Sequence, residues 1–353
     1  MLVSTSTRLL AIVSGGGTIG GMSRKRLIHA YDTIISIENL LSAWKEFKNG
    51  KRNKKDVALF ERNLMDNLFQ LHRELADGRY AHSPYEAFKI NDPKPRDIHK
   101  ASVRDRLMHH ALYQQLYWFF DHKFIYGSYS CRKYKGTHRA INQFRNYFRK
   151  VSKNETRTCW VLKCDIKKFF ANIDHVILKD ILAKDIDDER TLKLLYGIID
   201  SFSTKGKTGV GLPLGNLTSQ LLVNIYMNEF DQLLKHQLKV KYYIRYADDF
   251  VFLSKDRQEL EALLPLVSRF LTENLKLSLH PDKVFTKTLA SGVDFLGWVH
   301  FPDHRVIRTV TKRRMYKRIA EMEGKEETVQ SYLGLLRYGN TRKIVQRFGI
   351  LHS

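Results

Sequence analysis

Two adjacent aspartates, Asp248 and Asp249, lie between two largely apolar segments, residues 242–246 and 250–253. Both segments are rich in aromatic and β-branched residues, so we expect a β-hairpin whose turn contains Ala247 and the two aspartates. Buried strands hold such a turn rigidly, and carboxylate oxygens are the hard ligands that Mg²⁺ prefers. The segment therefore predicts a divalent-metal site, with an ordinary aspartate-rich turn as the alternative.

Another carboxylate follows an apolar run further upstream. Residues 159–164 predict a buried strand that ends in Asp165, at the mouth of a sheet, where ligands bind. If the two predicted strands lie side by side, Asp165 and Asp248 face each other and can hold two metal ions. Two such ions stabilise both the attacking and the leaving oxygen of an in-line phosphoryl displacement. For Asp165 alone a helix N-cap is an equal alternative, but its pairing with the turn favours the metal site.

The charge of the chain indicates a polyanionic partner. It carries 60 Lys and Arg against 37 Asp and Glu, a formal net charge of +23, and nucleic acid is the natural candidate. The basic segments are residues 45–55, 94–106, 132–149, 305–318 and 337–347. All but the second contain aromatic residues, which can stack on bases while the cations contact phosphates. Solvated helix surfaces are the alternative for single segments, but they do not explain the net imbalance.

Composition limits the remaining classes of protein. The 353 residues, 43% of them hydrophobic, suffice for a substantial core. No apolar run approaches the roughly 20 residues of a membrane span, so we expect a cytoplasmic protein with no membrane partner. Cys131, Cys159 and Cys164 lack the spacing of a zinc site or a disulfide framework and are expected to be buried thiols. Residues 1–22, rich in Ser, Thr and Gly, predict a flexible leader, with Met22 as an alternative start and a phosphate-binding loop as the competing interpretation.

Helical spacing of apolar residues predicts helices over residues 35–47, 60–75 and 103–120. The Gly- and Pro-containing residues 211–220 predict a junction that opens a further helix. Backbone N–H groups at a helix start are free to face an anion or a templating base, and Gln220 lies one turn into that helix. An ordinary helix start is an equally good alternative.

Several segments, taken in order, resemble the palm motifs of bacterial reverse transcriptases. They are Asp165 with Phe169 and Phe170, and residues 211–215, 246–249, 279–283 and 295–297. Residues 94–96, 105–106, 130–132 and 136–138 resemble elements of the fingers of the same family. The resemblance extends from about residue 25 to the end of the chain.

The resemblance implies an α+β fold of the right-hand polymerase type and an RNA-directed DNA polymerase activity. The implied fingers cover residues 23–155, the palm with its antiparallel sheet residues 156–305, and a short helical thumb residues 306–353. The implied partners are a template RNA, the cDNA primer-template duplex and deoxynucleoside triphosphates.

Site residues are also implied by the resemblance. Asp165 and Asp248 are the expected principal ligands of two Mg²⁺ ions, with Mn²⁺ as an alternative metal. Asp249 is expected to be a catalytic neighbour, either a weaker ligand or an orienting group, and the backbone carbonyl of Ile166 to complete a coordination shell. One ion is expected to lower the pKa of the primer 3′-hydroxyl and the other to hold the triphosphate.

The expected nucleotide-binding residues have separate tasks. Lys94 and Arg96 are expected to hold the triphosphate, and Lys283 to donate a proton to pyrophosphate. Phe170 matches a position whose ring packs under the sugar and clashes with a ribose 2′-hydroxyl, and Gln220 is expected near the templating base. The expected nucleic-acid-binding residues are Arg132, Leu214, Gly215, Tyr246, Gly297, Arg337 and Tyr338.

One motif indicates a subfamily. Most bacterial reverse transcriptases have Gln-Gly at its start and end it Ser-Pro, whereas this chain has Leu214 and Gly215 at the start and Gln220 at the end. This pattern resembles the diversity-generating retroelement reverse transcriptases. It implies error-prone copying of a template-repeat RNA, chiefly at adenines, with a small basic accessory protein.

Three alternatives remain open at this stage. An antiphage-defence reverse transcriptase and a group II-like reverse transcriptase share the same catalytic motifs. The length of chain after Gly297 leaves room for a short thumb but not for maturase and endonuclease domains, and the Val-Thr-Gly thumb signature of retron enzymes is absent. A protein of another class, mainly an RNA-binding component of a ribonucleoprotein, is the remaining alternative.

Overall fold

The computed structural model describes residues 25–91 and 95–350, and it describes side chains as far as residue 346. The predicted leader, residues 1–22, lies outside the described residues. The chain forms two compact units from interleaved segments. The helix-rich unit contains the described parts of residues 1–126 together with 166–240 and 268–278, and the sheet-rich unit contains residues 127–165, 241–267 and 279–350. The predicted boundaries of fingers, palm and thumb remain a prediction.

The helix-rich unit is built mainly from helices. They are α1 (Tyr31–Ile35), α2 (Ile37–Phe47), α3 (Lys55–Arg62), α4 (Leu64–Ala76), α5 (Val103–Asp121), α7 (His175–Asp185), α8 (Glu189–Asp200) and α9 (Leu217–Gln232). A short antiparallel hairpin of β1 (Glu86–Ile90) and β2 (Arg96–Lys100) lies between α4 and α5. A single 3₁₀ turn at Phe169–Asn172 precedes α7, and a π turn at Leu233–Gln237 follows α9.

Helix α5 is the centre of this unit because residues on nearly all its faces are buried. Ser102 caps its start by accepting a hydrogen bond from the Asp105 N–H. Buried Asn39 on α2 donates from its amide to the Ala111 carbonyl of α5 at 3.2 Å and so ties the two helices together. No helix among the described residues is long and apolar enough to cross a membrane.

The helix predicted over residues 60–75 is in fact two helices, so that prediction was wrong in one respect. Asn63, at φ −115° and ψ 39°, leaves the helical conformation between α3 and α4. The Asn67 amide then donates to the Phe60 carbonyl, which has lost its partner in the helix. A single polar residue therefore breaks a pattern that apolar spacing alone reads as continuous.

The sheet-rich unit contains two antiparallel sheets. The strands are β3 (Trp160–Asp165), β4 (Tyr243–Tyr246), β5 (Asp249–Ser254), β6 (Phe285–Thr288), β7 (Val293–Phe295), β8 (Trp298–His300) and β9 (Arg305–Ile307), in the orders β4-β5-β3-β6 and β7-β8-β9. Its helices are α6 (Thr137–Ser152), α11 (Thr309–Glu321), α12 (Glu326–Leu336) and α13 (Arg342–Ile350). Helix α10 (Arg257–Leu275) follows β5.

Two apolar clusters hold the sheet-rich unit together. In the first, Phe144 and Phe148 of α6 pack with Val161 of β3 and Val251 of β5. The second joins Ile141, Trp298, Ile307, Met315, Ile319, Val329 and Leu336, so it connects the β7-β8-β9 sheet to the C-terminal helices. This mixture of helices and antiparallel sheets agrees with the α+β class that the sequence predicts.

Gly339, between α12 and α13, makes a close contact with the second sheet. A Cβ atom added at Gly339 would overlap the ring of Trp298, which is 1% exposed. We therefore expect Gly339→Ala to lower the free energy of unfolding by ~1–3 kcal/mol, because neither the ring nor the backbone can move easily. Chemical denaturation of the full chain measures this change.

Gly334 supplies the matched control. It lies inside α12, and a Cβ atom there would meet nothing within 4 Å. Gly334→Ala should therefore be neutral or stabilise by ~0.5–1 kcal/mol, since alanine favours a helix interior over glycine. Equal effects of the two substitutions would contradict the contact between Gly339 and Trp298.

Candidate active site

The three aspartates are brought together by the pairing of two neighbouring strands. In the antiparallel register of β3 and β5, Asp165 lies directly opposite Asp249. The hairpin itself has the predicted place, but Tyr246 pairs with Asp249 and its loop therefore has only two residues, Ala247 and Asp248. Asp249 is thus the residue directly opposite Asp165, and Asp248 lies next to it in the turn. That the carboxylates of Asp165 and Asp248 face each other stays a prediction.

Two lysines contact the carboxylates of this pair. Directly opposed residues of an antiparallel pair, and residues two apart on one strand, point to the same side of a sheet. Lys163 thus shares a side with Asp165 and Asp249, and its ammonium lies 3.3 Å from Asp249 Oδ2. The ammonium of Lys283 lies 2.8 Å from Asp165 Oδ1. The side chain of Lys163 is 11% exposed and that of Lys283 is 41% exposed, so the first is an internal cation and the second faces solvent.

Burial dominates the electrostatics of Asp249. It raises the pKa of that carboxyl to about 7, against the opposing effect of the Lys163 ammonium. The negative charges of Asp165 and Asp248 add to the increase. The arrangement therefore disfavours three simultaneous negative charges unless further positive charge is supplied.

A buried arginine stabilises the turn through hydrogen bonds. Arg245 of β4 is 0% exposed, and its guanidinium donates to the Ala247 carbonyl at 3.3 Å and to Ser128 Oγ at 3.1 Å. Ala247 has a φ of +56°, a left-handed conformation that is costly for alanine and needs such support. At the end of β3, the Asp165 carbonyl accepts a hydrogen bond from the His280 N–H at 2.7 Å. Hydrogen bonds thus fix the backbone next to both principal carboxylates.

The residues at this edge fit a divalent metal ion. The donors are hard carboxylate oxygens, and Asp249 Oδ1 is buried without a hydrogen-bond partner. Among the residues that the structure describes, no group of three or more His, Cys, Asp or Glu side chains is placed to form a complete cage. An incomplete site of this kind suits Mg²⁺, which is commonly bound by one or two carboxylates and completed by waters and substrate phosphates. Ile166, whose carbonyl is a predicted ligand, follows Asp165 directly and has a buried side chain.

Most of the predicted nucleotide-binding residues belong to the helix-rich unit. Phe170 is half-buried, and its carbonyl accepts from the Leu212 N–H at 2.8 Å. The Gly211 N–H donates to the Ile173 carbonyl at 2.7 Å, and Gly211 has a φ of +109° that other residues rarely adopt. Backbone hydrogen bonds therefore join the segment that carries Phe170, the predicted sugar contact, to the Gly-Leu-Pro-Leu-Gly segment.

The same segment also contacts β2. The Asn216 amide donates to the His99 carbonyl at 2.9 Å, and a Cβ added at Gly215 would lie 3.2 Å from Ile98. Leu214, whose carbonyl accepts from the His99 N–H, is half-buried. Gly215 is exposed and has a φ of +106°.

The remaining predicted nucleotide-binding residues are placed as follows. Gln220 lies in the first turn of α9, half-buried, and its side chain makes no hydrogen bond with any described residue. Arg96 is exposed at the start of β2. Lys94 lies outside the described residues.

The other predicted nucleic-acid-binding residues are in the sheet-rich unit. Arg132 donates to the Ser128 carbonyl at 3.1 Å, and the Tyr246 hydroxyl accepts from Thr137 Oγ1 at 3.1 Å. Gly297 forms the tight β7-β8 turn with a φ of +87°. Arg337 is exposed at the end of α12, whereas Tyr338 is half-buried and stacks on His138 with ring centroids 3.6 Å apart. One face of the Tyr338 ring is therefore already covered.

Two residues of the site were missed by sequence reasoning. Lys163 and Arg245 each lie on a strand, two and three residues before a predicted aspartate, and only the folded structure shows that they contact Asp249 and the turn. His138, part of a motif that the resemblance includes, stacks on Tyr338. One prediction about cysteine was also wrong, because Cys131 is exposed while Cys159 and Cys164 are buried. Its left-handed backbone, at φ +53°, lies in a surface loop that apolar spacing does not describe.

These carboxylates at the edge of an antiparallel sheet are consistent with a nucleotidyl-transferring polymerase, and comparison with known proteins identifies the family. The family described as reverse transcriptase (RNA-dependent DNA polymerase) matches residues 89–300. The chain therefore belongs to the reverse transcriptase family, and it is an RNA-directed DNA polymerase with the predicted right-hand fold. Members of this family generally use divalent metal ions and bind nucleic acid.

Curated relatives cover much of this chain. It is similar to the protein YkfC of Escherichia coli K12, with 28% identity over 73% of this chain and 75% of that protein. It is also similar to a putative COX1/OXI3 intron 2 protein of Saccharomyces cerevisiae, with 24% identity over 75% of this chain and 38% of that protein. The group II intron-encoded protein LtrA of Lactococcus lactis subsp. cremoris is 23% identical over 71% of this chain and 52% of LtrA. The chain thus spans about half or less of the length of these two intron proteins.

The contact between Lys163 and Asp249 makes a prediction about stability. Replacing Lys163 by Met leaves Asp249 without its nearest cation, so the free energy of unfolding should fall by ~1–3 kcal/mol in EDTA. Saturating Mg²⁺ should reduce that loss, because a bound cation supplies the missing positive charge. Thermal denaturation with and without Mg²⁺ measures both effects.

Lys287 is the matched control, since it lies exposed on β6, the other strand paired with β3. Lys287→Met should change stability little, with no dependence on Mg²⁺. The assignment of Lys163 as an internal counter-charge is wrong if both variants respond alike, or if Mg²⁺ leaves the loss in Lys163→Met unchanged.

Proposed function

We propose that Asp165 and Asp248 are the principal metal ligands with which this reverse transcriptase copies an RNA template into cDNA. The observation that carries this proposal is the β3–β5 register, which brings Asp165, Asp249 and the Asp248 turn to one edge of a sheet. Asp249 has a different role, because its carboxylate is the partner of the internal Lys163 ammonium. We assign to it the orientation of the site rather than direct ligation of both ions.

The chemistry is the transfer of a nucleotidyl group. The primer 3′-oxygen forms a bond to the α-phosphorus, the bond from that phosphorus to the oxygen of pyrophosphate breaks, and the 3′-hydroxyl proton passes to solvent water. Mg²⁺, when bound, supplies positive charge that acidifies the 3′-hydroxyl and neutralises the triphosphate. Asp165 and Asp248 hold that charge in place, and Arg245 keeps the turn in its left-handed conformation. Lys283, a partly exposed cation beside Asp165, is the proposed proton donor to the departing pyrophosphate.

The substrate contacts are proposed on the basis of the family resemblance. Phe170 excludes the ribose 2′-hydroxyl, Lys94 and Arg96 hold the triphosphate, and Gln220 contacts the templating base. The proposed contacts to the primer-template are Arg132, Leu214, Gly215, Tyr246, Gly297, Arg337 and Tyr338. The cytoplasm, where template RNA and deoxynucleotides are available, is the proposed location.

For the subfamily, we propose error-prone synthesis within a diversity-generating retroelement, together with a small basic accessory protein. Its support is the motif from Leu214 to Gln220, which differs from the commoner bacterial pattern at both ends. In the structure this motif carries the start of α9, and its Asn216 side chain contacts β2, the strand that begins with Arg96.

A group II-like reverse transcriptase is the second candidate. The observation that favours it is the similarity to the group II intron-encoded protein LtrA and to a yeast intron protein. The two candidates share the catalytic step and differ in fidelity. The accuracy of copying at adenine therefore separates them.

The catalytic assignment predicts the effect of one substitution. Asp248→Ala should reduce primer extension on an RNA template by several orders of magnitude, because it removes a metal ligand from the reacting centre. Binding of RNA and the melting temperature should change little, since the residue lies in a turn that closes a hairpin. Primer extension with deoxynucleotides and Mg²⁺ measures the loss.

Asp66 provides the control for that experiment. It is an exposed aspartate in the first turn of α4, so Asp66→Ala should retain nearly full activity. Activity in Asp248→Ala equal to that in Asp66→Ala, after removal of contaminating polymerases, would exclude the proposed role of Asp248.

The subfamily proposal predicts an error spectrum. Adenines in the template should be copied with far more errors than the other three bases. The double substitution Leu214→Gln and Gln220→Pro restores the commoner bacterial pattern and should change this spectrum more than the overall rate. The reason is that discrimination between bases depends on contacts worth only ~1–3 kcal/mol in the transition state.

Sequencing of cDNA made from a template with all four bases measures these errors, with any required accessory protein present. Uniformly low errors at adenine in the unaltered protein would remove the diversity-generating proposal. The group II-like candidate would then be retained, because primer extension itself does not depend on the error spectrum.

A further inference from the structure

A surface loop beside the catalytic hairpin presents an exposed aromatic ring. We define the Tyr134 loop as residues 129–137. Tyr134 is 77% exposed and adopts a left-handed backbone conformation with a φ of +59°. The Tyr134 ring is therefore largely open to solvent. Non-glycine residues rarely adopt this conformation, and surface strain of this kind often accompanies function.

The loop is held firmly although its tip is exposed. The Tyr129 N–H donates to the Arg245 carbonyl at 2.9 Å, and the Gly136 N–H donates back to the Tyr129 carbonyl at 3.0 Å. At the other end, Thr137 Oγ1 donates to the Tyr246 hydroxyl at 3.1 Å. Both ends are therefore bonded to β4, two or three residues before Asp248, and the loop cannot move far from the catalytic turn.

The charge of the loop is entirely positive. Residues 129–137 contain Arg132, Lys133 and Lys135 and no acidic residue. The Lys135 ammonium lies 4.8 Å from the centre of the Tyr129 ring, so this cation packs along the base of the loop. An exposed ring between cations is the combination that binds unpaired nucleotides, since the ring stacks on a base and the cations contact phosphates.

We propose that Tyr134 is a stacking contact for an unpaired base of the single-stranded RNA template near the catalytic turn. A single strand is the expected occupant because bases in a duplex are already stacked on their neighbours and offer no free face. The proposal deepens the proposed function and rests on it for the identity of the RNA as template. It assigns Tyr134 to binding and gives it no part in the chemical step.

Binding measured without nucleotides tests this contact directly. Fluorescence anisotropy of labelled single-stranded RNA, at one fixed salt concentration, gives the dissociation constant for each variant. Tyr134→Ala should weaken binding about tenfold, because stacking on one aromatic ring typically contributes that much. Tyr134→Phe and Tyr134→Trp should bind like the unaltered protein, since a ring without the hydroxyl still stacks.

Two further variants separate stacking from other effects. Phe69 is 45% exposed on α4 and has no Lys or Arg within two positions, so Phe69→Ala should leave binding unchanged. Lys133→Ala should reduce the salt dependence of binding, whereas Tyr134→Ala should keep it, because only a lost cation changes the number of released counterions. A loss in Tyr134→Phe as large as that in Tyr134→Ala would overturn the stacking contact.

The proposal is also wrong if Tyr134→Ala binds single-stranded RNA as well as the unaltered protein does. Equal weakening for a fully paired RNA–DNA duplex would replace the unpaired template by the duplex as the occupant and so contradict it. Primer extension by the unaltered protein is measured in parallel. Failure of that assay counts against the polymerase assignment, whereas unchanged RNA binding counts against Tyr134 alone.

Discussion

The active edge of this protein depends on one register, the pairing of Asp165 with Asp249 between β3 and β5. A slip of one residue would turn the whole of β5 over and move Asp249, together with Val251, to the other side of the sheet. The apolar cluster prevents this slip, because Val161 and Val251 must both face α6. The same pairing that buries the core therefore sets the position of the carboxylates. The strand register that the core requires is therefore the same register that the catalytic site requires.

Carboxylates at the edge of an apolar sheet are partly buried, and buried negative charge is unfavourable. Two lysines compensate part of this charge in different ways. Lys163 gives Asp249 an internal cation, while Lys283 gives Asp165 one that is open to solvent. Burial still raises the pKa of Asp249 to about 7, so the negative charge is only partly compensated. A site with this residual demand for positive charge is well suited to divalent ions that arrive with a substrate.

The sequence predicted the strands and the hairpin of the site, but it did not predict which residues of these strands lie opposite each other. The apolar runs on either side of the aspartates predicted the hairpin, and the apolar run before Asp165 predicted its strand. Which aspartate faces Asp165 depends on whether the loop has two or three residues, and that is decided by pairing between distant strands. The same holds for Lys163 and Arg245, whose roles become visible only when the register is known. Apolar spacing likewise missed the break at Asn63, because a single side chain causes it.

Similar limits apply to function. Motif order was sufficient to predict a reverse transcriptase, because five separate segments agree and the family match covers the same part of the chain. The subfamily depends on side chains around Leu214 and Gln220, where contacts of a few kcal/mol separate accurate from inaccurate copying. Such differences are properties of a complex with template and nucleotide and are not encoded in a motif alone.

The most direct test of this account is to locate the metal ions. A crystal structure of the protein with an RNA template, a DNA primer and an unreactive nucleotide, grown with Mn²⁺, would reveal them by anomalous scattering. The account predicts anomalous peaks at the carboxylates of Asp165 and Asp248, with the Lys163 ammonium still beside Asp249. Peaks absent from Asp165 and Asp248, or a metal ion that replaces Lys163 at Asp249, would contradict it.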